Sequence, residues 1–104
     1  MFRRRRFDDL IRMQLRVFAE DNAERLAAMA AALAEYRSAD RDDAEERYGD
    51  YADEVDWAAE ELAELRDAYA ASMEPDLVEQ YEREFSRAVR HAYPAIAPAL
   101  DALP

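Results

Sequence analysis

Residues 44–73 read AEERYGDYADEVDWAAEELAELRDAYAASM. Stepping alternately by four and three through this stretch picks out Ala44, Tyr48, Tyr51, Val55, Ala58, Leu62, Leu65 and Tyr69, a stripe without a single charge. That spacing belongs to a helix with one buried face. Asp50, Asp53, Glu54, Asp56, Glu60, Glu61 and Glu64 stand around the stripe, so the same helix also carries a strongly negative face. The rest of the chain must pack on the first face or avoid the second.

Working outward, Leu10, Ile11, Leu15, Phe18, Leu26, Met29, Leu33 and Tyr36 recur at helical spacing and predict a first long helix over residues 8–37. Its seam has a polar gap in the middle, because the step on from Phe18 lands on Asn22 and Arg25 before Met29 restores the apolar pattern. A buried Asn or Arg is costly unless satisfied. The gap therefore either sets the helix register, as a single polar seam residue often does, or lines a polar pocket. Residues 38–43 hold no apolar side chain except Ala39 and read as the connection to the second helix. Asp42 and Glu45 have the spacing of a capping box, which puts the second helix at 43–73. Gly49 inside it costs roughly 1 kcal/mol relative to Ala, so a start at Asp50 is the alternative.

Pro75 suits a first helical position and drives Glu74 out of the α region, separating the second helix from a third over 75–93. The third carries Val78, Tyr81, Phe85, Ala88, Val89 and Ala92 on one stripe and ends where Pro94 cannot continue the ladder. The reading is all-α: an antiparallel three-helix bundle of two long helices and a shorter third, followed by a proline-containing tail. It divides into a basic N-terminal arm at 1–6, a single helical domain at 7–93 and an apolar C-terminal tail at 94–104. One glycine and few β-branched residues leave a sheet without its usual turns and strands. Short connections make neighbouring helices antiparallel, so facing residue numbers add to about 81 in the first two helices and about 149 in the second and third. Asn22 then lies opposite Ala58 and Ala59, Arg25 lies near Glu54 and Asp56, and Tyr93 lies near Trp57. An ion pair from Arg25 to Glu54 or Asp56 would satisfy the gap.

The chain has 104 residues and leans on alanine for its apolar half, so its core is thin and oligomerisation would help it. With 25 acidic residues against 14 basic ones, its net charge of −11 disfavours direct binding of nucleic acid or of an anionic membrane by the main domain. It suits a basic partner or a metal. The plainer and preferred reading of the acidity is solubility, and Arg as the sole basic residue suggests a GC-rich or salt-adapted source. Four arginines, Arg3, Arg4, Arg5 and Arg6, lie between Phe2 and Phe7. They form either a loose, charge-balancing terminus or a grip for phosphate or for an acidic face of a second copy. No apolar run is long enough for a membrane span or a signal peptide, and the cytoplasm is the expected compartment. The absence of cysteine removes disulfides, thiolate nucleophiles and cysteine metal sites.

No stretch is a diagnostic functional motif. Glu60, Glu61 and Glu64 resemble the first metal-binding helix of the all-α nucleotide pyrophosphatases over one and a half turns, a likeness that implies magnesium held by carboxylates. That family carries a second Glu-x-x-Asp motif on its next helix, and residues 77–92 hold Glu79, Glu82 and Glu84 without such a pair, so membership is not assigned. Carboxylate-bridged di-iron bundles need Glu-x-x-His pairs, and the lone His91 has Ala88 and Pro94 three residues away. No Ser, Cys or second His is placed to form a nucleophilic set with it.

The sequence thus points to a non-catalytic helical interaction or assembly module that self-associates and offers an acidic face to a basic partner. Its candidate contact residues are Trp57, Asp53, Glu54, Glu60, Glu61 and Tyr93, with Asn22 and Arg25 as the polar seam. No cofactor is expected. The alternative is a small carboxylate metal binder or magnesium-dependent hydrolase using Glu60, Glu61 and Glu64.

Overall fold

The polar gap in the first helical pattern is where that helix breaks. In the computed structural model, which describes residues 6–104, α1 (Asp8–Asp21) ends at Asn22 and α2 (Ala23–Ser38) begins immediately after it. Asn22 leaves helical geometry at φ −119°, ψ 23°. Its backbone N–H donates to the Phe18 carbonyl at 3.1 Å, and its side-chain Nδ2 donates to the same oxygen at 2.9 Å. Its own carbonyl accepts from the Leu26 N–H at 2.9 Å. The side-chain bond is a second one to a carbonyl that the backbone already satisfies, and it holds the Asn22 amide against the last turn of α1. The expected single helix over 8–37 is two helices, and Asn22 is a hinge between them.

The second long helix, α3 (Ala44–Ala70), runs through Gly49 without interruption. It starts at Ala44 with Asp43 at the N-cap and no side-chain cap bond, so the Asp42–Glu45 capping box does not form. Helix α4 (Pro75–Ala92) begins on its proline and stops at Tyr93, as the two prolines require. The tail is more than an apolar strand of chain: α5 (Ala97–Ala102) forms within it, and Ile96 and Leu100 are fully buried. It packs on α3 and α4 of its own chain. Among the described residues the architecture is all-helical, with five helices where three were expected.

The core lies at one end of the molecule. Ile11 and Phe18 of α1, Ala58, Ala59 and Leu62 of α3, Tyr81, Phe85 and Val89 of α4, and Ile96 and Leu100 of the tail make one cluster. Helix α2 contributes no fully buried residue. It packs along α3 and, at its start, against α1, whereas α4 and α5 pack on α3. The result is elongated, 51 × 31 × 24 Å, with the α2–α3 hairpin as its long dimension. A well-covered body thus carries a two-helix projection, and a pair of helices can bury only the stripe between them.

Candidate functional site

Trp57 sits half-buried on α3, against the edge of the core. Arg25 of α2 lies across its ring, with the guanidinium carbon 4.3 Å from the ring centroid, and donates from Nε to Glu54 Oε2 at 2.7 Å. One cation therefore closes two contacts at once, stacking on the indole face while pairing with a carboxylate. The expected Arg25 pair forms with Glu54 and lies on the surface: the side chains keep 47% and 25% of their exposure. Glu20, Asp21 and Glu24 rim a shallow groove beside Trp57 and Arg25. A tryptophan edge among carboxylates suits a cationic side chain, and Arg25 already plays that part from within.

The remaining candidates are scattered. Asp53, Glu60 and Glu64 are exposed on α3, and Glu61 is half-buried. Among the described residues no three histidine or carboxylate side chains converge so as to hold a metal ion. Tyr93 packs edge-on against Phe18 at 5.8 Å between ring centroids, and burial raises its phenol above the ordinary 10.0. Its ring contact is thus with Phe18 of α1. His91 is exposed beside a groove between α1 and α4 whose floor is Ile11, Leu15 and Ala88.

Two polar positions in the core carry contacts that the apolar stripes conceal. Gln14, 2% exposed, lies between Ile11 and Phe18 on the buried face of α1. Its Nε2 donates to the Tyr81 hydroxyl at 2.8 Å, and the hydroxyl donates back to Gln14 Oε1 at 3.1 Å. The phenol is pushed above 10.0, chiefly by burial, with the Gln14 hydrogen bond pulling the other way. Glu84 lies beside Tyr81 and Phe85 on α4 and is also buried. Its Oε1 accepts the Phe7 N–H at 3.0 Å, and its Oε2 accepts Gln80 Nε2 at 2.9 Å. The Gln14–Tyr81 pair joins α1 to α4, the Phe7–Glu84 bond ties the residue that precedes α1 to α4, and Phe7 stacks edge-on to Tyr81 at 5.5 Å. The clue to both was a polar residue set between two apolar ones at helical spacing. Every buried side-chain polar atom among the described residues has a partner, so these groups are spent on holding helices together.

The surface that stays open is the hairpin. Leu26, Met29, Leu33 and Tyr36 of α2 are only half-covered, and Tyr48 of α3 is 52% exposed although it lies on the expected core stripe. Tyr48 stacks edge-on to Tyr36 at 5.2 Å and lies 6.5 Å from Tyr51, an aromatic cluster with one side in water. The N-terminal arm falls at residues 1–5 outside the described residues, with Arg6 exposed at their edge. Comparison with known proteins returns no match: no family model fits the chain, no curated protein matches its sequence and no solved structure matches its fold.

Proposed function

We propose that this protein is a non-catalytic helical interaction module that self-associates through its α2–α3 hairpin and leaves the acidic face of α3 to a basic partner. One observation carries the reading. Residues 26–34 of α2 hold no charge on any side, in a chain where 38% of residues are charged, and yet α2 buries none of its residues. A helix that is apolar all round belongs in an interior. In one copy of the chain α2 has α3 on one side and water on the other, so a second surface is what its composition fits. The exposed carboxylates of α3 then remain on the outside, where they suit a cationic partner by steering more than by tight contact.

Light scattering coupled to size exclusion over a wide concentration series tests this. A mass that rises toward twice 12.0 kDa with concentration is the expected result. A monomer mass throughout would refute self-association.

A further inference from the structure

We infer that the groove between α1 and α4 is a binding site for a small amphipathic monoanion, an aliphatic carboxylate whose tail lies along the groove floor and whose head meets Arg87 and His91. The site shares no residue with the hairpin or with the acidic face of α3. Its floor is aliphatic: Ile11 is 3% exposed, Leu15 and Ala88 are half-covered, and Ala92 is open. Ala88 and Ala92 are the reason for the space. Tyr81, Phe85 and Val89 of the same helix are fully buried, so single methyl groups at 88 and 92 leave unfilled what larger side chains fill elsewhere. The groove has a volume of about 390 Å³. Small-molecule sites run from about 300 to 1,000 Å³ and are likewise mostly apolar, with a few polar groups that fix orientation.

The edge of the groove selects an anion. Arg87 and His91 are four residues apart on α4, so their side chains rise from one face a turn apart. Both are exposed, and neither makes a hydrogen bond or ion pair among the described residues. Arg12 stands on the α1 wall with 70% of its side chain exposed and holds Asp8 at 3.5 Å. The two carboxylates of the lining are already engaged. Asp8 pairs with Arg12, and Glu84 is buried, with one oxygen accepting the Phe7 N–H and the other accepting Gln80 Nε2. A chain with 25 acidic residues against 14 basic ones thus leaves a guanidinium and an imidazole unengaged above an apolar floor. A carboxylate has two oxygens and can accept one N–H from each. Asp8 and Glu84 stay close enough to repel a second negative charge, which favours a carboxylate over a phosphate. Among the described residues the lining holds no aromatic ring, which suits an aliphatic tail better than a stacked one.

Titration of the isotope-labelled protein with sodium octanoate, followed by NMR, tests the site. His91 is the only histidine, so its ring signals are unambiguous. Saturable shifts clustered at Ile11, Leu15, Ala88 and His91 are the expected result. Affinity should fall about two- to four-fold for each methylene removed between octanoate and butyrate, and octanol and octylamine should each bind several-fold more weakly than octanoate. Arg87→Glu changes an exposed side chain and should weaken octanoate about ten-fold while sparing octanol. Ala88→Leu should fill the groove and abolish binding of both, with an unchanged circular dichroism spectrum; if that variant fails to fold, the Arg87→Glu comparison decides. Octanol that binds as tightly as octanoate would overturn the choice of an anion. An absence of saturable shifts into the millimolar range, or binding indifferent to the substitutions, would overturn the site.

Discussion

At the scale of single residues, the Gln14–Tyr81 pair decides how α1 is held to α4. Both groups are buried, and each satisfies the other twice over. Replacing one partner leaves the other dry and unpaired, whereas replacing both leaves an apolar contact. Tyr81→Phe and Gln14→Leu should each destabilise by about 1–3 kcal/mol, and the double variant should lose clearly less than the two losses combined. Urea titration of all four proteins measures this coupling, and additive losses would refute it. The same phenol gives a pH dependence. Its pKa is raised in the folded protein, so above the unfolded value of 10.0 the unfolded chain gives up its proton first. The stabilisation from keeping it neutral is complete below pH 10 and is lost as pH rises through the folded value. Thermal melts from pH 8 to 12 should show a decline beginning near pH 10, shallower in Tyr81→Phe; Tyr93, raised by the same cause, supplies the remainder. The sequence made the apolar neighbours of these residues legible and hid the pair. Periodicity marks Ile11, Phe18, Tyr81 and Phe85 as core, but only the fold shows that Gln14 and the Tyr81 hydroxyl meet across 67 residues of chain.

At the scale of elements, the readable boundaries were those with a covalent cause. Pro75 and Pro94 fix both ends of α4 whatever packs around it. The break at Asn22 left a weaker trace, a polar gap, because the residues on either side are good helix formers and the apolar pattern resumes after it. At the break the Asn22 side chain turns back to the Phe18 carbonyl, a contact that spacing alone cannot announce. The short α5 was obscured by its own prolines, of which Pro98 sits at its start, where a missing N–H costs nothing. Gly49 is the opposite case, a residue read as a flaw that the helix absorbs. It lies in mid-helix with no positive φ, and a Cβ built on it meets nothing within 4 Å. Gly49→Ala should therefore stabilise the protein by about 0.5–1 kcal/mol, seen as a higher denaturant midpoint at unchanged slope. No gain would mean that the N-terminal part of α3 frays before the core unfolds.

At the scale of the whole molecule, two features pull against each other. The open hairpin favours a second copy, while a net charge of −11 on each chain opposes one. Residues 26–34 of α2 carry none of that charge, so the repulsion comes from carboxylates farther away and acts mainly through solvent. The Debye length falls from about 30 Å at 0.01 M salt to about 8 Å at 0.15 M, against molecular dimensions of 51 × 31 × 24 Å. At low salt most of each molecule repels most of the other; at physiological salt only charges near the contact still count. An exposed ion pair at such a contact, which salt also weakens, is worth under about 1 kcal/mol. Relief of the long-range repulsion wins. Dimer association should strengthen as sodium chloride rises from about 0.01 to 0.15 M and level off beyond, as sedimentation equilibrium at fixed protein concentration would record. Association that instead weakened steadily across that range would show that ion pairs, and not the apolar stretch of α2, hold the copies together.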